Sequence, residues 1–180
     1  VLISGDKITE VGPADSVKIP AGAKVIDLSK ETVLPGLIDG HVHLTDAAGG
    51  LQRQVLVALH NATASLNAGF TTLVVMGAHG GGFADVELKK AIESGLVTGP
   101  RLATAGPIIN VTMPGNATFP LMNTPMDPDL TANGADAMRA AVRELAHYGA
   151  DHVKIHTTGP FYFDKEGKMY NQPLPTREEL

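Results

Sequence analysis

Cysteine and tryptophan are both absent from the 180 residues. With no thiol there is no disulfide, no cysteine-ligated zinc and no thiol nucleophile, so a metal could sit only on histidine, carboxylate or modified lysine. A cysteine-free chain suits either redox environment, which leaves the compartment open with the cytoplasm favoured. Nowhere do about 18 apolar residues run together, so the sequence holds no candidate spanning helix. Basic clusters are missing too, and a net charge of −5 offers nothing to nucleic acid or to an anionic membrane. Aromatics make up 4% of the chain against 20 glycines and 12 prolines, a balance that fits an α/β fold with many tight loops. Because residue 1 is Val1 and not an initiator methionine, the sequence is silent on a signal peptide. It is equally silent on whether copies associate as a homo-oligomer.

What the sequence does have is alternation. Val1-Leu2-Ile3, a Gly5-Asp6 turn and Lys7 to Val11 predict a hairpin, since Gly and Asp tolerate the positive φ of such turns. After breaks at Gly12-Pro13 and Pro20-Ala21-Gly22, Lys24 to Leu28 predicts a third strand. Leu37 to Leu44 predicts a strand with Asp39, His41 and His43 on one face and Ile38, Val42 and Leu44 on the packed face. Leu51, Val55, Leu59, Ala62 and Leu66 then recur at helical spacing up to Gly69. Thr71 to Met76 is apolar on both faces, as in a covered parallel strand. A helix through Leu88, Ala91 and Ile92 ends at Gly95, and Arg101 to Ala105 predicts a short strand. Ala135, Met138, Val142, Leu145 and Ala146 predict a third helix, capped by Gly149 and followed by a strand around Lys154. Strand–helix alternation of this kind predicts a parallel sheet with helices outside. Ile108 to Asn133, rich in Pro, Asn, Met and Gly, predicts a long loop. Thr176-Arg177-Glu178-Glu179 has the form of a capping box, which announces a helix. The sequence stops one residue later, so a piece of a longer protein is expected.

A His-x-His pair on a strand can aim two ring nitrogens at one point, which suits zinc; two half-buried strand histidines are the plainer alternative. Alternation returns at His152, Lys154 and His156, which face one way. An unpaired ammonium on an inward face is costly to desolvate, so Lys154 there must be neutralised or paired; the alternative is a lysine at the strand mouth that reaches solvent or pairs with Asp39 or Asp151. Asp39 and Asp46 could accept imidazole N–H groups. His79 lies in the run Gly77 to Gly82, which lacks the spacing and the Lys-Ser/Thr of a P-loop and reads as a flexible loop. His156, Thr157, Thr158 and Gly159 border the expected pocket. His60 and His147 fall within helices as surface or packing residues, and His152 falls either near a bound metal or, as the plainer reading, lower down in the packed interior.

The stretch Val33 to Leu44 resembles the approach to the first barrel strand of the amidohydrolase superfamily, metal-dependent hydrolases built on a TIM barrel. Gly149 to His156 is similar to its fourth strand, with the lysine that members carboxylate to bridge two metals. Ala68 to Thr72 and Gly95 to Leu102 resemble the approaches to strands two and three. The likeness is nearest to the imidazolonepropionase-like and Xaa-Pro dipeptidase-like branch. It implies a partial TIM (β/α)8 barrel over residues 36–180, about the first four βα units, preceded by part of a small β-sandwich over residues 1–35. It also implies zinc, as one or two divalent ions, on His41, His43 and a carbamylated Lys154, with substrate contacts from His156, Thr157 and His79. The implied reaction is hydrolysis of an amide C–N bond in a small molecule, dipeptides or acylated amino acids foremost, by a metal-activated hydroxide. A proton-shuttling aspartate and two more histidine ligands are expected beyond Leu180, so the 180 residues alone are expected to be inactive. Two other readings stay open. One is a single-metal cyclic-amide hydrolase of the imidazolonepropionase type, against which Lys154 speaks; the other is a non-catalytic half-barrel scaffold.

Overall fold

The computed structural model describes residues 1–46, 49–112, 130–173 and 175–180. The chain divides into two units, Val1–Pro35 and Gly36–Leu180. In the first, Gly5 turns at φ +62° between β1 (Leu2–Ser4) and β2 (Lys7–Glu10), which pair antiparallel with Ile3 opposite Ile8. Lys24 to Leu28 is not a strand. Val25 and Ile26 are 64% and 67% exposed, and an alternating pattern without a neighbouring strand has no ladder to join.

The second unit is built on a parallel sheet in the order β3 (Leu37–Val42), β4 (Phe70–Val75) and β5 (Arg101–Thr104). Helix α1 (Leu51–Asn67) joins the first two strands and α2 (Ala84–Glu93) the second two. Leu73 and Val75 of β4 are buried among Leu44, Ala58, Ala62, Leu88 and Leu102, which form the core under the helices. Gly69 (φ +98°) follows α1 and Gly95 (φ +74°) follows α2, ending both where expected. The buried stripe of α1 is rotated from the expected one. It runs through Gln54, Ala58 and Ala62, leaving Leu51 and Val55 largely exposed, because two alanines let the helix lie closer to the sheet than leucines would. Ile38, expected on the packed face of β3, is 69% exposed.

Beyond β5, the two-residue strands β6 (Ile109–Asn110) and β7 (Leu130–Thr131) pair parallel. They flank the long loop; its residues 113–129 lie outside the described ones. Helix α3 (Ala135–Tyr148) packs Met138, Ala141 and Leu145 against Ile109, Val111 and Ala132, and Gly149 at φ +99° stops it. The expected strand around Lys154 reduces to one parallel bridge, Ile155 to Ile109. Asp151 N–H donates to the Thr104 carbonyl (2.7 Å) and Ile109 N–H to the Lys154 carbonyl (2.9 Å), so the segment runs beside its neighbour. Continuous pairing fails because that neighbour turns at Gly106 (φ +69°) into Pro107, which has no N–H to offer. Thr158 and Gly159, expected to border the pocket, open the antiparallel hairpin β8 (Thr158–Phe163) and β9 (Met169–Pro173). At Thr176 the expected capping bond is made, with the Glu179 carboxylate accepting the Thr176 N–H (2.7 Å) and also that of Gly134 at the start of α3 (2.6 Å). Among the described residues no helix is long and apolar enough to cross a membrane.

Candidate functional site

In a parallel sheet under helices, ligand-binding groups collect beyond the carboxyl ends of the strands. Here those ends carry His41 near the end of β3 and His43 just after it, Gly77 to His79 after β4, the Gly106 turn after β5, and Lys154 to His156 beside it. The His41 and His43 ring centroids are 5.4 Å apart and those of His43 and His79 4.2 Å apart. His79 and His156 lie nearly parallel at 6.5 Å. The predicted candidates His41, His43, His79 and His156 therefore meet at one mouth. Thr157 is exposed.

The tautomers are set by the acceptors around the rings. His43 Nδ1–H donates to the Gly77 carbonyl (2.9 Å), which leaves the lone pair on Nε2. His156 Nδ1–H donates to Asn110 Oδ1 (2.7 Å). His152 Nε2–H donates to the Val75 carbonyl (3.1 Å), placing that ring at the end of β4 and not in the lower barrel. A ring whose second nitrogen is held by a carbonyl or carboxylate is how proteins usually present a metal-ligating histidine, and His43 fits that description. Asp39 and Asp46 were the expected acceptors, yet their carboxylates bond elsewhere. Asp39 takes the His41 backbone N–H (3.0 Å), while Asp46 pairs with the Gln54 amide (3.1 Å) and Arg53 (3.6 Å).

Lys154 is half-buried, and among the described residues it has no ion-pair partner. Asp151, one of its two expected partners, is taken by Lys89 (2.5 Å) and by the Thr104 N–H (2.8 Å). Burial pushes the Asp151 carboxyl up, but those bonds outweigh it and hold the pKa below the ordinary range. Burial, with His43, His156 and Lys154 nearby, lowers the His79 pKa from 6.5 to about 4. Burial, Lys154 and His43 lower that of His156. Both shifts favour the neutral ring, which has one N–H donor and one acceptor nitrogen, and in His156 the donor is the Nδ1–H already given to Asn110. Among the described residues no three His, Asp or Glu side chains converge on a point where they could hold a metal ion by themselves.

The glycine run is packed tightly. Gly77 sits at φ +105° with Ile108 so close that a Cβ there would lie 2.3 Å from Ile108 Cγ1, and Gly81 is pressed against Thr45. Sequence reading missed three residues that build this mouth. Asn61 Nδ2 donates to the Leu44 carbonyl (2.9 Å) and pins the segment after His43. Asn110 lies in a two-residue strand within an irregular stretch, where no pattern marks it. Asp85, fully buried in the first turn of α2, accepts the Gly106 N–H (3.0 Å); an acidic residue at that helical position was the one available signal.

Comparison with known proteins bears on all of this. The sequence pattern of the amidohydrolase family matches residues 32–167. An allantoinase of Streptomyces avermitilis is 41% identical over 76 residues, a stretch covering 42% of this chain and 16% of that protein. A dihydroorotase of Pediococcus pentosaceus is 33% identical over 76 residues, again 42% of this chain and 16% of the relative. The solved structure of a Xaa-Pro dipeptidase with methionine bound in its active site superposes with a TM-score of 0.70 at 32% identity, covering 91% of this chain and 43% of that one. The chain thus spans less than half the length of these relatives.

Proposed function

Because the chain belongs to the amidohydrolase family, whose members here are hydrolases of C–N bonds, we propose that the protein carrying it is a metal-dependent hydrolase of a small amide, with dipeptides or acylated amino acids as the leading substrates. On this reading residues 36–180 are the first half of a (β/α)8 barrel, consistent with the parallel order β3–β4–β5, and residues 1–35 are part of a small β-sandwich.

The observation that carries the reading is a half-buried lysine without an ion-pair partner among the described residues, beside histidines held neutral and next to a His-x-His pair whose second ring is locked with its lone pair on Nε2. An anion is well placed beside neutral rings, and a carbamate on Lys154 would provide one. His41, His43 and carbamylated Lys154 would hold zinc, with further ligands supplied from outside these residues. The bound ion would polarise the scissile carbonyl and lower the pKa of the attacking water. The neutral His79 and His156 line the mouth and are assigned to the substrate, with Thr157 at its exposed rim. Neutral His79 can donate its N–H to a carbonyl or carboxylate without an ion-pair cost, whereas His156, whose Nδ1–H is held by Asn110, offers Nε2 as an acceptor for a substrate N–H or O–H.

The test is metal content and amide hydrolysis by the intact protein. Chelation is expected to abolish turnover and zinc to restore it, with two metals per chain and Lys154→Ala lowering both metal content and rate. Turnover that survives complete metal removal would refute the reading. One metal with an unmodified Lys154 would move it to the single-metal cyclic-amide class.

A further inference from the structure

Asp85 has no part in the chemistry proposed above, yet it is fully buried and bonded to two different elements. One oxygen accepts the Val86 N–H of its own helix (2.9 Å), and the other crosses to the Gly106 N–H (3.0 Å). Gly106 stands at φ +69°, a conformation that only a glycine adopts freely, so its carbonyl direction depends on what fixes the preceding peptide. That carbonyl accepts the Ala78 N–H (2.9 Å). The Ala78 N–H and the Gly77 carbonyl belong to one planar peptide unit, and the Gly77 carbonyl is the group that takes the His43 Nδ1–H (2.9 Å). Gly77 is itself at φ +105°, so without the bond at its far end this peptide could rotate away from His43.

We propose that Asp85 is a positioning residue for His43, acting through the Gly106 turn and the Gly77–Ala78 peptide to hold the imidazole in the Nδ1–H tautomer. The relay is complete within this chain. Its consequence for metal binding rests on His43 being a ligand, as proposed above.

Asp85→Ser in the intact protein separates the relay from simple helix capping. Serine keeps an oxygen near the Val86 N–H but is one atom too short to reach Gly106, whereas Asp85→Asn keeps an acceptor of the original reach. The readout is the His43 tautomer in metal-free protein, taken from nitrogen-15 imidazole spectra, with zinc affinity measured in parallel by chelator competition. The expected result is loss of Nδ1–H as the major His43 tautomer in Asp85→Ser and its retention in Asp85→Asn, with zinc affinity about tenfold weaker in the serine variant alone. A folded Asp85→Ser protein whose His43 tautomer is unchanged overturns the proposal, as does an equal shift in both variants. A shifted tautomer with unchanged zinc affinity would uphold the relay and sink the assignment of His43 as a ligand.

Discussion

Gly77→Ala tests the tight packing behind the histidines directly. A Cβ at residue 77 would lie 2.3 Å from Ile108 Cγ1 and 2.8 Å from Cδ1, and the backbone there is at φ +105°. Holding a non-glycine residue in a sparsely populated backbone region costs about 1–3 kcal/mol. Forcing a methyl into a filled space costs about 1–3 kcal/mol more. The expected loss is therefore about 2–6 kcal/mol, measured by denaturant unfolding of the intact protein. Ile108→Ala removes both clashing atoms and leaves Ile108 Cβ at an ordinary 3.7 Å. That fully buried isoleucine costs about 2–5 kcal/mol by itself when truncated. In its background, Gly77→Ala should cost only the backbone part, so the double-mutant cycle should show a favourable coupling of about 1–3 kcal/mol. A Gly77→Ala loss that is equal with and without the Ile108 side chain would refute the packing account. A loss under about 1 kcal/mol would refute the backbone account as well.

Asp151→Asn should destabilise the protein near neutral pH. A folded-state pKa held down by Lys89 and Thr104 means the unfolded chain takes the proton first, so the stabilisation is complete above the unfolded value of about 3.9 and is lost as pH falls through the lower folded value. The stability difference between wild type and variant should shrink as pH falls below the unfolded value, and a difference that stays flat there would refute the assignment. Asn110→Asp places an anion where Oδ1 now lies 2.7 Å from His156 Nδ1, which should raise the His156 pKa. Proton spectra of the metal-free protein report that titration, and an unmoved His156 would show that the contact is absent in solution.

The helices and the first three parallel strands were legible because apolar spacing and glycine stops act locally: Gly69, Gly95 and Gly149 all take the positive φ their positions required. The buried stripe of α1 was less legible, because leucines at helical spacing say where bulk is and not how near the helix lies to the sheet. Ala58 and Ala62 decide that, and of the two only Ala62 stood in the expected stripe. The Lys154 segment kept the right neighbour but lost its ladder to a turn some fifty residues earlier, a non-local effect. Among site candidates, residue type and strand position were enough to collect His41, His43, His79 and His156 at one mouth. Their partners were not legible, since a carbonyl acceptor such as that of Gly77 exists at every residue and leaves no mark on the sequence. Acidic residues drew attention as imidazole acceptors, and Asp39 and Asp46 turned out to serve the backbone and Gln54 instead.

That choice of acceptors bears on charge balance. His43 and His156 rest on a peptide carbonyl and a carboxamide, both neutral, where many ligating histidines rest on a carboxylate. A neutral acceptor fixes the ring and its tautomer while adding little to its basicity, so these rings bring orientation to the site without bringing negative charge. On the proposed reading, the anionic charge facing a divalent ion must then come from groups other than the histidines. Of the candidate ligands among the described residues, Lys154 alone could supply it, and only after conversion to a carbamate. The same conversion would remove a positive charge that now lowers the pKa of both His79 and His156. Lysine modification and the protonation of these two rings would therefore be linked: a carbamate at Lys154 would ease proton uptake by His79 and His156, while burial would still hold it back.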